Sequence, residues 1–154
     1  MISFFLASTD NDYEAAGLLF KAYAASIQIS LDFQHFSDEL GGLKKMYGEP
    51  YGGIILAKEQ EDIIGCVAIR KISDQVGELK RMYIKPGFQN RGIGKILLEK
   101  AIELAKQCNY LVVKLDTLNY MLPAIHLYQQ AGFYETPPYY NNPIPTAIYF
   151  EKLL

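Results

Sequence analysis

The stretch from Glu78 to Gln107 constrains the fold more than any other, because it predicts a strand, a glycine-containing loop and a long helix in direct succession. The strand spans Glu78–Ile84, the loop Lys85–Gly94, and the helix runs from about Gly92 to Gln107. Apolar side chains return at helical spacing and predict one buried stripe on an otherwise solvated helix. The residues of this stripe are Ile93, Leu97, Ala101, Leu104 and Cys108.

The start of this helix is a predicted anion-binding site. Its first backbone N–H groups have no partner within the helix, and the aligned peptide dipoles place about half a positive charge there. Gly92 and Gly94 allow a ligand to approach the backbone closely, while Arg91 and Lys95 add positive charge. The loop by itself is also consistent with an ordinary strand-to-helix turn that carries basic surface residues.

Two familiar phosphate-binding loops are excluded by missing positions. A Walker A loop needs a hydroxyl residue after its glycine and lysine, whereas Gly94 and Lys95 are followed by Ile96. A dinucleotide-binding loop needs glycine or alanine at the position that Leu97 occupies. What remains is the pattern Q-x-x-G-x-G, from Gln89 to Gly94, at the start of a helix.

This pattern after a strand resembles the acyl-CoA signature of the GNAT superfamily of N-acyltransferases. A second segment, Leu127–Phe133, reads L-Y-x-x-x-G-F and resembles the superfamily's conserved helix end. The elements around both motifs occur in the superfamily's order, so the resemblance covers most of the chain. It implies a transferase that depends on acyl-CoA, with acetyl-CoA as cosubstrate and no metal.

The resemblance implies a mixed α/β (α+β) fold, expected to form a single domain over residues 1–154. A central mixed, mostly antiparallel sheet of six to seven strands would be flanked by about four helices and would contain a splayed parallel strand pair. Because Leu111–Asp116 follows a strand and a helix, it is predicted to lie parallel to Glu78–Ile84. Other predicted helices span 12–27, 31–47 with a break at Gly41 and Gly42, and 122–131; other strands span 2–7, 53–57, 63–71 and 148–153.

The resemblance also implies where the cosubstrate binds. Its pantetheine arm would pair with the backbone of Met82, Tyr83 and Ile84, as an added strand pairs with a sheet edge. Its pyrophosphate would lie on the loop and the helix start. The residues expected there are Gln89, Asn90, Arg91, Gly92, Ile93, Gly94 and Lys95.

Tyr128 matches the tyrosine that protonates the departing CoA thiolate in many superfamily members. A tyrosine hydroxyl has an ordinary pKa near 10 and a thiol one near 8.5, so tyrosine is a weak acid toward the thiolate. The proton transfer would run uphill by ~2 kcal/mol unless desolvation raises the pKa of the thiol. A structural role is the alternative. In a Schellman cap with Gly132 at its left-handed position, Tyr128 would pack against Phe133.

Glu78 is the candidate base. It lies eleven residues before Gln89. Some members of the superfamily that the sequence resembles, notably histone-type acetyltransferases, carry a base glutamate at that offset. Because a carboxylate is too acidic to deprotonate an ammonium directly, it would act through a bound water or attract the ammonium. The alternative is a surface glutamate at a strand end beside Lys80 and Arg81.

One position departs from the superfamily pattern. Met121 stands three residues before Ala124, where an asparagine is usual, so we expect one cofactor contact to be lost, shifted or replaced by backbone. The acceptor pocket is expected between the first two helices and the loop 139–145. The aromatic residues predicted there are Tyr23, Phe33, Phe36 and Tyr140.

Composition limits the partners. A net charge of −2 gives no overall basic field for nucleic acid, and the cysteine and histidine spacing matches no metal site. The apolar segment Ile2–Ala7 is too short for a signal peptide, and no run is long enough to span a membrane, so we predict a cytoplasmic protein. The expected partners are acyl-CoA and an amine acceptor, either a small molecule or a peptide. A homodimer is left open.

Two other functions compete with N-acetyl transfer to a primary amine. A non-catalytic acyl-CoA-binding or sensing module would keep the loop Gln89–Lys95 but would not need Tyr128. A nucleotide-binding protein is disfavoured by the missing motif positions. The sequence does not identify the acceptor.

Overall fold

The computed structural model describes the backbone of residues 1–154 and the side chain of every residue except Phe33. Among the residues it describes, it contains five helices and seven strands, and a short 3-10 turn at Asp32–Gln34 follows the first helix. The elements are β1 (Ile2–Leu6), α1 (Asp10–Ile27), α2 (Phe36–Gly41), α3 (Leu43–Met46), β2 (Gly53–Glu59), β3 (Asp62–Lys71), β4 (Val76–Ile84), α4 (Ile93–Gln107), β5 (Val112–Leu118), α5 (Leu122–Gln130), β6 (Tyr134–Thr136) and β7 (Ala147–Leu153).

All seven strands form one sheet in the order β1-β2-β3-β4-β5-β7-β6. Only β4 and β5 are parallel, and the other neighbours are antiparallel. The predicted fold class, with a mostly antiparallel sheet and one parallel pair, is therefore confirmed. The sequence missed β6, which has three residues, and ended β5 at Asp116 although it continues to Leu118. The helical region after α1 divides into separate pieces, with Gly42 between α2 and α3 as the predicted break.

Apolar side chains cover both faces of the sheet, so the central strands are buried on both sides. On β2, Ile54 and Leu56 contact α1 and α3, whereas Ile55 and Ala57 belong to the core under α4 and α5. This alternation follows from the two-residue repeat of a strand. α4 places the predicted stripe against the sheet, with Ile93, Leu97 and Ala101 fully buried.

The parallel pair separates early. β4 and β5 are paired at Val76–Val112, Gly77–Val113 and Glu78–Lys114, and at no position beyond. A bulge in β4 accompanies the separation, because Cys66 faces Tyr83 while Ala68 faces Lys80, leaving two residues of β4 opposite one of β3. Arg81 in this bulge has a left-handed backbone, with φ of 60°. The sheet therefore contains a gap at its centre, between the C-terminal halves of β4 and β5.

In the described structure, each helix is either too short or insufficiently apolar to cross a membrane.

Candidate active site

The gap between β4 and β5 forms a cleft that draws its walls from distant parts of the chain. β4 and β5 supply the two sides, α1 and the 3-10 turn supply one end, and α5 and the loop before β7 supply the rest. The polar and aromatic lining includes Tyr23, Gln34, Lys80, Asp116, Tyr128 and Asn142. Loop 139–145 and the first helix thus meet at the cleft, where the sequence predicted the acceptor pocket.

The start of α4 packs against the end of β4 and presents unpaired backbone donors. Ile96 N–H is the first amide of the helix with a backbone acceptor, the Gly92 carbonyl at 3.3 Å, and no described side chain caps the helix. The amides of Ile93, Gly94 and Lys95 therefore remain for a ligand. Gly92 has φ of 78°, and a side chain added there would point into open space. This is the geometry expected of an anion site.

The side chains of the loop are placed differently from one another. Gln89 Nε2 donates to the Ile84 carbonyl at 3.2 Å and so fixes the loop to the end of β4. Arg91 forms an ion pair with Glu59 at 3.0 Å, so its charge is shared with a carboxylate on β2. Asn90 is exposed with φ of 63°. Lys95 is exposed and lies on the groove between α4 and α5.

The C-terminal end of β4 has one free edge. Tyr83 and Ile84 pair with Cys66 and Gly65 of β3, and β5 has already separated on the other side. The backbone of Met82, Tyr83 and Ile84 can therefore accept an extended ligand along the edge that faces β5. Gly94 supports this arrangement by close packing, since an added Cβ would lie 3.2 Å from Ile84 Cδ1.

Tyr128 has the structural role predicted for it, and its side chain also lines the cleft. Phe133 N–H donates to the Tyr128 carbonyl and Gly132 N–H to the Gln129 carbonyl, each at 3.0 Å, which is a Schellman cap with Gly132 at φ of 95°. The Tyr128 and Phe133 rings lie 5.9 Å apart. The same side chain lines the cleft, and among the described residues its hydroxyl has no hydrogen-bond partner. Burial raises the pKa of Tyr128 well above its ordinary value, so the hydroxyl keeps its proton.

Glu78 is not the surface residue that the sequence allowed as an alternative, because only 1% of it is exposed. Its Oε1 accepts a hydrogen bond from Arg70 Nε at 2.6 Å, and its Oε2 accepts one from the Tyr139 hydroxyl at 2.5 Å. Burial and the nearby Glu78 charge raise the pKa of Tyr139. Both carboxylate oxygens therefore already have partners, and a role as base would require one of them to be released.

A hydrogen-bonded chain that the sequence did not predict joins the two sides of the cleft. Lys80 Nζ donates to Gln34 Oε1 at 3.2 Å, and Gln34 Nε2 donates to the Tyr140 hydroxyl at 2.9 Å. The Tyr140 hydroxyl in turn donates to Asp116 Oδ2 at 2.5 Å, and Asn142 Nδ2 contacts the same oxygen at 3.3 Å. The signal available in the sequence was the presence of charged residues within mostly apolar strands, among them Lys80 in β4 and Asp116 in β5.

Arg81 belongs to the scaffold of the cleft. Its Nε and Nη2 donate to the two oxygens of Glu39 at 2.9 and 2.7 Å, and both side chains are almost fully buried. Burial alone would raise the pKa of Glu39, but the hydrogen bonds and charge of Arg81 outweigh it and lower this pKa. The Phe36 ring lies 5.3 Å from the Arg81 guanidinium. The pair thus ties α2 to the bulge of β4.

The remaining residues that the sequence predicted at the site are Met121, Tyr23 and Phe33. Met121 lies on the wall of the cleft, where Thr117 Oγ1 contacts its sulfur at 3.7 Å, in place of the usual asparagine. Tyr23 lines the cleft, while the Phe33 side chain lies outside the described residues.

Known proteins resemble this chain in sequence. The sequence profile of the acetyltransferase (GNAT) family matches residues 19–133. A Schizosaccharomyces pombe protein that carries the name uncharacterized N-acetyltransferase is 33% identical over 150 residues, which cover 96% of this chain and 92% of that protein. The profile therefore spans both motifs and the residues that line the cleft up to α5, but not the loop before β7.

Solved structures resemble it in fold. A GNAT-family acetyltransferase from Staphylococcus aureus has a TM-score of 0.82 at 22% identity, over 99% of each chain. A GNAT-family acetyltransferase from Elizabethkingia anophelis, solved with acetyl-CoA bound, has a TM-score of 0.69 at 25% identity, over 99% of this chain and 98% of that one. The first likeness concerns the fold, and the second adds a relative that binds acetyl-CoA.

Proposed function

Because the chain belongs to the acetyltransferase (GNAT) family, we propose that it transfers the acetyl group of acetyl-CoA to the primary amine of an acceptor by direct attack. The family resemblance first found at Gln89–Gly94 is confirmed, and the protein is an acyl-CoA-dependent acetyltransferase. The observation that carries the finer proposal is that three features lie along the C-terminal half of β4 and the cleft beside it. These are the unpaired amides of α4, which packs against the end of β4, the free edge of β4, and the hydroxyl of Tyr128, which is unpaired among the described residues.

Acetyl-CoA would extend from the start of α4 into the cleft. The pyrophosphate would accept hydrogen bonds from the amides of Ile93, Gly94 and Lys95, and the open space at Gly92 would admit it. The pantetheine arm would pair with the free edge at Met82–Ile84 and so bring the thioester to the gap between the strands. Gln89 would hold the loop in place through its bond to Ile84, and Arg91 would be shared between Glu59 and the ligand.

The transfer itself would be a single displacement. The lone pair of a neutral amine forms the new C–N bond at the thioester carbonyl, the C–S bond breaks, and the thiolate takes the proton of the Tyr128 hydroxyl. After the attack, the nitrogen loses one proton to water, and Tyr128 regains a proton from solvent. Orientation of the two reactants in the cleft would supply most of the acceleration.

The role of Glu78 as the general base stays a prediction. In the proposed reaction its simpler role is to hold Arg70 and Tyr139 at the acceptor side of the cleft, because both its oxygens bind these residues. Release of Tyr139 would free Oε2 to accept a proton through a water.

Replacing Tyr128 by phenylalanine tests the proposal. We expect the turnover number to fall about 10- to 100-fold, a modest effect for general acid catalysis because tyrosine is a weak acid toward the thiol. The affinity for acetyl-CoA should stay within twofold, since the ring contact with Phe133 is kept. Turnover is followed by the release of CoA thiol, and affinity by calorimetry.

Tyr110→Phe is the matched control. Tyr110 is also buried, but its hydroxyl donates to the Tyr51 carbonyl outside the cleft, so turnover should be unchanged. Equal turnover of Tyr128→Phe and the wild type would remove Tyr128 from the acid role. Binding of acetyl-CoA with no transfer to any amine by the wild type would instead favour the sensing module.

A further inference from the structure

Lys80 and Asp116 stand opposite each other where the parallel strands separate. Glu78 and Lys114 are the last paired residues of β4 and β5, and Lys80 and Asp116 follow each of them by two positions. Because strand side chains alternate between faces, both project to the face that carries Glu78 and Lys114. Gln34 and Tyr140 join them by hydrogen bonds on that face. A cation and an anion thus flank the gap into which the thioester is proposed to extend.

The other charges around the gap are already neutralised. Arg70 pairs with Glu78 at 2.6 Å, and Arg81 pairs with Glu39 at 2.7 Å. Lys80 Nζ lies 3.9 Å from Glu78 Oε1, but that oxygen already accepts the bond from Arg70. Among the described residues, the only hydrogen bond of the Lys80 ammonium goes to the neutral Gln34 amide oxygen at 3.2 Å, although an ammonium has three donors.

From this arrangement, which rests on the proposed function, we propose that the acceptor carries a carboxylate beside its primary amine, as an amino acid does. Lys80 binds the carboxylate, and Asp116 binds the amine while it is still protonated. The protonated amine then gives one proton to water, and the neutral amine attacks the thioester beside Tyr128, which lines the same cleft.

The burial of Lys80 explains why an anion would bind there. Only 5% of its side chain is exposed, and a buried charge is costly unless it is paired. Burial lowers the pKa of Lys80 despite the nearby Glu78 charge, so its ammonium is incompletely compensated. A ligand carboxylate would replace the neutral Gln34 oxygen by a full negative charge. Gln34 would keep its bond to Arg81 Nη2 at 2.8 Å, so the scaffold would remain intact.

The test uses pairs of acceptors that differ only in the carboxylate. Each of a set of amino acids is compared with its carboxamide, and the ratio of the two kcat/KM values is measured from CoA thiol release. We expect the wild type to favour the amino acid at least about tenfold for the best pair, as a charge-assisted hydrogen bond would give. Lys80→Met should bring this ratio near that of the uncatalysed reaction, and Lys80→Arg should restore most of it.

Lys114→Met is the matched control. Lys114 lies on the same face of β5 but pairs with Glu151 at 3.8 Å, so its loss should leave the preference unchanged. Transfer to amines without any preference for a carboxylate, or a preference that survives in Lys80→Met, would overturn this inference and leave the proposed function standing. Absence of transfer to both members of every pair would overturn this inference, whereas absence of transfer to any primary amine would overturn the proposed function as well.

Discussion

Gly92→Trp is expected to weaken acetyl-CoA binding about 100- to 1,000-fold. The tryptophan side chain would start in open space over the unpaired amides of Ile93, Gly94 and Lys95, where the pyrophosphate is proposed to bind. Loss of two charge-assisted hydrogen bonds at about 1.5 to 2 kcal/mol each, the lower part of the range for such bonds, accounts for a change of this size. Calorimetric titration with acetyl-CoA measures it, with circular dichroism to verify the fold.

Gly87→Trp controls for the strain of the substitution. Gly87 lies in the same loop with φ of 91° and open space around it, so both variants place an L side chain in a left-handed conformation. Gly87 precedes the segment Gln89–Lys95 and should be replaceable with little change in affinity. Equal affinity in the two variants, or undiminished binding in Gly92→Trp, would remove the cosubstrate from the start of α4.

Glu39→Ala is expected to destabilise the protein by about 3 to 5 kcal/mol, because it leaves the Arg81 guanidinium buried without its carboxylate. In a chain of 154 residues this corresponds to a fall in Tm of about 6 to 20 °C. Thermal unfolding measures the change. Glu103→Ala, at an exposed position on α4, is the control and should leave Tm nearly unchanged.

The double variant Glu39→Met with Arg81→Met separates the cost of an orphaned charge from the loss of packing. Replacement of both members of a buried ion pair by apolar side chains is often close to neutral, so the double variant should be more stable than Glu39→Ala. A double variant less stable than Glu39→Ala would contradict the orphaned Arg81 charge as the main cost of the single substitution and would assign the stability to the ion pair itself.

Much of the fold could be predicted because local patterns and tertiary structure agree. The stripe from Ile93 to Cys108 and the strand–loop–helix order predict a helical crossover between β4 and β5, and such a crossover joins parallel strands. β6 escaped prediction because a three-residue strand, Tyr134–Thr136, owes its pairing to β7 rather than to its own sequence.

The local geometry was predictable where a motif describes backbone, as at the helix start after Gly92 and the helix cap that follows Tyr128, while the roles of these residues stay predictions. It was not predictable where side chains from distant segments meet. The partners of Glu78 come from β3 and from the loop before β7, so nothing near Glu78 in the sequence reveals that both its oxygens are bound. Lys80 and Asp116 face each other only because of the register of β4 and β5, which tertiary packing sets.

The most direct test of acetyl transfer is the stoichiometry of the reaction catalysed by the wild type. The protein is incubated with acetyl-CoA and a mixture of primary amines, and released CoA thiol is compared with acetylated amine measured by mass spectrometry. The account predicts one thiol for each acetylated amine, at a rate well above that without protein. Saturable binding of acetyl-CoA with no acetylated amine above the uncatalysed level would contradict it.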